Sequence, residues 1–161
     1  RDLIQLLALL WDRVRVVVHP QSVIHSMVEF VDGSIIAQLS VPDMCLPIQY
    51  ALTYPRRAPS DRVQTSLAEI GRLDSEEPDG QRFPSLELAR RSGEEGGTMP
   101  AVLNAANEIA VDAFCAGQLN FQGITQAVRG AMDAHERIER PTLEQILEAD
   151  AWAREHVTGA L

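Results

Sequence analysis

Lysine is missing from all 161 residues, so every one of the fourteen basic side chains is arginine. Schiff-base chemistry and a phosphate-loop lysine are therefore excluded within this chain. Positive charge is in deficit: 23 acidic residues give a formal net charge of −9. Nucleic acid and anionic membrane surfaces require a basic footprint and are excluded as partners. Cysteine is scarce. Cys45 and Cys115 lie far apart in sequence and form no metal-type pair, which reads as free thiols in a cytoplasmic protein. Long apolar runs are lacking too. Leu3 to Trp11 is too short to span a membrane and lacks the flanks of a signal peptide. It reads as a buried helix or a truncated edge. No Ser-His-Asp set, nucleotide-binding glycine loop, zinc ligand cluster, repeat or low-complexity tract is present.

At 45% hydrophobic and 23% charged, the chain suits one or two small domains with a real core. Val16 to Met44 organises it. Two apolar runs, Val23 to Val31 and Ser34 to Leu39, flank Asp32-Gly33, and this dipeptide predicts a hairpin with a type I′ turn. Ile24, Ser26, Val28 and Phe30 fall on one face, and Val23, His25, Met27, Glu29 and Val31 on the other. Neither face is uniformly polar, so the sheet is expected to be covered on both sides, by helices or by a second subunit. Val14 to Val18 reads as a third strand, with His19-Pro20-Gln21-Ser22 as a bend or bulge.

Leu46 to Tyr54 predicts a short helix with Pro47 in its first turn and Pro55 at its end. Arg56 to Gln81 is a connection in which Leu67 to Leu73 packs as a short helix and strand. Four helices follow. The first begins near Phe83 and stops at Gly96-Gly97. Thr98 is expected to cap the second, which runs from Ala101 to Ala116 and is apolar almost all round. Its alanines let neighbours approach closely, which makes it the central helix of a bundle. Gly117 suits the C′ position. The third helix spans Gln122 to His135. The fourth starts with a capping box at Thr142 and Gln145 and is expected to bury Leu143, Ile146, Leu147 and Trp152.

The candidate chemistry is sparse. His19 sits before a proline between strands, where it either orients a carboxylate or substrate or caps the bend. His25 reads as a packed strand histidine rather than a metal ligand beside His19. Asn104, Asn107 and Glu108 interrupt the apolar helix, and the preferred reading is a buried polar network that fixes helix register. Asp43 reads as a helix-start carboxylate. Arg56-Arg57 and Arg90-Arg91 read as solvated or salt-bridged surface.

The blocks HPQSVIHSMVEFVDGSIIAQLSVPDM, LPIQYALTYP, RFPSLELA and GGTMPAVLNAANEIAVDAF occur in register over nearly the whole chain from Trp11. Together they resemble the 1-deoxy-D-xylulose 5-phosphate reductoisomerase family, specifically its C-terminal portion. The resemblance implies an α+β fold: residues 1–54 form the end of a catalytic domain, 55–82 a crossing linker and 83–161 a C-terminal four-helix domain. It implies an enzyme that isomerises 1-deoxy-D-xylulose 5-phosphate and reduces the product with NADPH to 2-C-methyl-D-erythritol 4-phosphate, in non-mevalonate isoprenoid synthesis. Mg²⁺ or Mn²⁺ would act as a Lewis acid, and a homodimer would form through catalytic-domain strands. His19, Pro42 and Met44 match positions that wall the substrate and nicotinamide pocket, and Cys45 stands where the family usually has arginine. The first ten residues depart from the family: its asparagine-lysine pair and following glutamate, which hold phosphate and metal, are absent. The resemblance thus assigns this chain no cofactor-binding or metal-binding residue and no confident catalytic one. It implies a chain inactive alone. The alternative is a stand-alone dimerisation or partner-binding module.

Overall fold

The computed structural model describes residues 13–161. The apolar stretch Leu3 to Trp11 lies outside the described residues. Chain contacts divide the described residues into a hairpin unit, Val16–Pro78, and a helical unit, Asp79–Leu161 together with residues 13–15.

In the hairpin unit, β1 (Ile24–Glu29) pairs antiparallel with β2 (Ile35–Leu39). Glu29 lies opposite Ile35 and Ile24 opposite Leu39, with an extra residue, His25, accommodated as a bulge between Ile24 and Ser26. The turn differs from the type I′ expectation. Gly33 N donates to Phe30 O at 3.0 Å and Phe30 N donates to Ser34 O at 2.9 Å, which puts Val31 and Asp32 at the centre of the turn. Only Gly33 has positive φ, at 82°, so the connection is a turn followed by a left-handed glycine bulge. The Asp32 carboxylate accepts from Ser34 N and Oγ, which lowers its pKa.

The expected strand Val14 to Val18 does not form. Val18 makes a single antiparallel bridge to Glu76, with 2.9 Å bonds in both directions. Pro20 on one side and Pro78 on the other remove the donors that would extend it. Among the described residues Val28, Phe30, Ile35 and Ile36 of the hairpin are all exposed, and burial is confined to its base at Val23 and Ser40. After β2 come α1 (Cys45–Thr53) and the single turn α2 (Leu67–Ile70). No strand follows α2 within the stretch to Leu73.

The helical unit comprises α3 (Pro84–Glu95), α4 (Met99–Cys115), α5 (Phe121–Ala134) and α6 (Leu143–Ala160). Helix α4 packs against the other three. Its Val102, Ala105 and Ala106 are fully buried and meet Leu88 of α3, Val128, Ala131 and Met132 of α5, and Ala149, Ala153 and Val157 of α6. Small side chains at the contacts bring the helix axes close. Gln118 N and Gly117 N bond back to Ala113 O and Phe114 O, closing α4 in a Schellman motif. Asn120 caps α5 by accepting from Gly123 N at 2.8 Å. The expected capping box opens α6: Thr142 Oγ1 accepts from Gln145 N, and Gln145 Oε1 from Thr142 N.

Two expectations fail here. Leu143 and Leu147 are exposed, because α6 turns its alanine and valine stripe, Ala149-Ala153-Val157, inwards instead. Thr98 does not cap α4. It is fully buried in helical backbone conformation, and its hydroxyl serves the loop after α5.

Candidate functional site

The bend that follows Val18 presents His19. Ser22 N donates to His19 O at 3.1 Å, and Ser22 takes a φ of 51° to close the turn. The ring is pinned from the connection: its Nδ1 lies 2.5 Å from Asp74 O. A carbonyl only accepts, so Nδ1 carries the proton and Nε2 is left as an acceptor. Nε2 is buried and has no hydrogen-bond partner among the described residues. Gln21 Nε2 donates to Asp74 Oδ2 at 2.6 Å, Gln21 Oε1 accepts from Asp74 N at 3.2 Å, and Arg72 Nε donates to Asp74 Oδ2 at 3.0 Å. The bend is thereby fastened to Asp74 by three hydrogen bonds, one through His19 and two through Gln21. Sequence reasoning missed Asp74. It stands 55 positions from His19, and no local pattern links the two.

The loop from β2 to α1 carries Pro42 and Met44, both exposed, with Met44 at 70%. Thr65 Oγ1 accepts from Val41 N at 3.2 Å and holds the loop's start. Asp43 Oδ1 accepts from Cys45 N at 2.7 Å, the helix-start role expected of this carboxylate. That bond keeps Asp43 ionised below the usual carboxylate range, and the carboxylate in turn pushes the Cys45 thiol up. No hydrogen bond joins His19 to Pro42 or Met44 among the described residues.

The remaining candidates are engaged in structure. His25 Nδ1 lies 3.3 Å from Ser40 Oγ within the hairpin. Asn104 Nδ2 donates to Glu108 Oε1, and Arg154 donates to Glu108 Oε2 at 2.6 Å and to Asp150 Oδ2 at 2.7 Å. This network does tie α4 to α6, but on an exposed face rather than a buried one, which corrects the expected burial. Arg154 and Asn104 lower the Glu108 pKa, while Asp150 and Glu108 raise that of Arg154. Arg91 pairs with Glu95 and Asp133, and Arg57 stacks 4.3 Å from the Tyr50 ring. The arginine pairs are thus surface partners.

The described residues do not offer a ligand set for a divalent metal. No three His, Cys, Asp or Glu side chains converge as a ligand set among the described residues. A β-carbon at Gly97 would overlap the Ile138 carbonyl, and Thr98 N already donates to Ile138 O at 3.1 Å. Two cavities, about 410 and about 220 Å³, lie within the helical unit. No helix among the described residues is long and apolar enough to cross a membrane.

Comparison with known proteins places this arrangement. Residues 39–156 match the family described as DXP reductoisomerase C-terminal domain. The 1-deoxy-D-xylulose 5-phosphate reductoisomerase of Pelotomaculum thermopropionicum is 56% identical over 149 residues, covering 92% of this chain and 38% of its own. That of Symbiobacterium thermophilum is 56% identical over 144 residues, covering 89% and 37%. The Zymomonas mobilis reductoisomerase in complex with NADPH superposes with a TM-score of 0.90 at 39% identity, over 98% of this chain and 42% of that one. A DOX-P reductoisomerase with fosmidomycin and magnesium gives 0.89 at 37% identity, over 99% and 42%. The chain therefore spans about two fifths of the length of these relatives. On the family match and these identities together, it belongs to the 1-deoxy-D-xylulose 5-phosphate reductoisomerase family, in the C-terminal region.

Proposed function

We propose that this chain is the C-terminal scaffold of a cytoplasmic enzyme that converts 1-deoxy-D-xylulose 5-phosphate to 2-C-methyl-D-erythritol 4-phosphate. The observation that carries this reading is 56% identity across 92% of the chain to a curated reductoisomerase. When bound in that enzyme, NADPH supplies the hydride and Mg²⁺ or Mn²⁺ supplies Lewis-acid charge stabilisation. No set of metal ligands converges among the described residues, and the chain alone is read as inactive.

Its own contribution is positional. Met44 and Pro42 present exposed apolar surface from a loop fixed at Val41 and Cys45, suited to exclude water beside a substrate. His19 offers a fixed acceptor, because Asp74 O holds its Nδ1 proton and leaves Nε2 for a donor. The uncovered hairpin supplies a surface for a second copy, supported by Val28 and Ile36 at 59% and 64% exposure.

The pocket role is tested by grafting this chain in place of the matching C-terminal part of the Pelotomaculum relative. Met44→Ala in the graft is expected to lower kcat/KM by about 10- to 100-fold, the cost of misplacing a reactant by about an ångström. The thermal midpoint should stay unchanged, because Met44 packs against no core. Undiminished turnover would remove Met44 from the pocket wall.

A further inference from the structure

A buried polar contact in the helical unit joins two loops far apart in sequence. Thr98, at the corner between α3 and α4, is wholly buried. Its N donates to Ile138 O at 3.1 Å, and its Oγ1 accepts from Ile138 N at 3.1 Å. Its Oγ1 also lies 2.8 Å from His135 Nε2. A hydroxyl has one proton to give. With Ile138 N–H already received, the buried Thr98 O–H is satisfied by donating to His135 Nε2. That bond requires the neutral imidazole with its proton on Nδ1. His135 also lines an open cleft of about 410 Å³ with Trp152, so protons reach it from solvent.

We propose that the Thr98–His135 hydrogen bond is a proton-sensitive latch: protonating His135 releases the loop between α5 and α6 from the corner between α3 and α4. A proton on Nε2 turns the acceptor into a donor. It sets N–H against O–H and leaves the buried hydroxyl without a recipient. Glycine at position 97 lets the two loops close to backbone contact, so little space exists for Thr98 to turn elsewhere.

The charges around the imidazole have their own partners or stand aside. Glu136 is beside it on the same loop and favours the charged form. Glu148 of α6 lines the same cleft, and His156 of α6 stacks on the far side of Trp152. From α3, the Glu95 carboxylate is held by Arg91 while its carbonyl accepts from Arg137 at 2.6 Å. Asp133 of α5 is also paired with Arg91. Burial outweighs Glu136 and holds the His135 pKa below its usual value. The unfolded chain therefore takes up more protons between the two midpoints. The stabilisation is whole above about pH 6.5, the ordinary histidine value, and is lost as pH falls towards the folded midpoint.

The test is an NMR titration of the full chain that follows the His135 ring nitrogens and the exchange of the Thr98 and Ile138 amides. The latch requires the Nδ1–H tautomer at neutral pH. It also requires amide protection, corrected for intrinsic exchange, to fall by up to about tenfold for each pH unit between the unfolded and folded midpoints. His135→Gln offers an acceptor that does not protonate and is expected to flatten that dependence. Thr98→Ser should preserve it. An Nε2–H tautomer at neutral pH, or the same pH dependence in His135→Gln as in the parent chain, would overturn the proposal. If a variant fails to fold, the tautomer and the amide titration of the parent chain decide the matter.

Discussion

Gly97 shows how much of this fold rests on single positions. Its φ is 59°, and the Ile138 carbonyl occupies the place of a β-carbon. Gly97→Ala is expected to destabilise the helical unit by more than about 1 kcal/mol, from left-handed strain alone before the overlap is added. For a unit of this size that lowers the melting temperature by about 4 °C or more, readable by circular dichroism. An unchanged melt would mean that the two loops part at little cost. Cys45 is a second residue-scale case. Hydrogen bonding and charge from Asp43 raise its thiol pKa, so the reactive thiolate is scarce at neutral pH. Asp43→Asn should shift the pH–rate curve of Cys45 alkylation downwards and speed the reaction at neutral pH. Equal rates would show that Asp43 does not control the thiol. At this scale the sequence was partly legible. His19 stood out by its place before proline, and Asp43 by its place before a helix. Their partners did not stand out equally: Cys45 is two residues away, whereas Asp74 is brought in by the chain's return.

Among the elements, the helices were the most readable, since caps, prolines and apolar spacing are local. The capping box at Thr142 and the stop at Gly117 follow directly from residue type. Which face turns inwards was less readable. Leu143 and Leu147 look like core residues, but α4 presents a surface of alanines and valine, and the small residues Ala149 and Ala153 fit closer against it. Asp-Gly announced the hairpin correctly, yet its register depends on pairing Glu29 with Ile35, which moves the centre of the turn to Val31-Asp32. The mixed apolar faces suggested a covered sheet, and among the described residues Val28, Ile35 and Ile36 are exposed. If a second copy covers them, Val28→Glu or Ile36→Glu in the graft should shift its mass by light scattering from dimer to monomer. The helical unit's melt should be unaffected, since neither residue belongs to its core. A dimer that survives both charges would place the contact elsewhere.

For the whole molecule, the buried residues are strongly asymmetric. Nearly all the buried apolar side chains described belong to the helical unit, with Val23 the exception in the hairpin unit. One half is a self-contained core, and the other is a hairpin and loops that display apolar surface at Val28, Ile36 and Met44. Such a division suits a scaffold that completes a catalytic domain. The most direct measurement of this account is steady-state NADPH oxidation with 1-deoxy-D-xylulose 5-phosphate and Mg²⁺ or Mn²⁺, run on the 161-residue chain alone and on its graft into the Pelotomaculum relative. The account predicts turnover by the graft and none by the chain alone. Turnover by the isolated chain, or a folded graft that cannot oxidise NADPH, would contradict it.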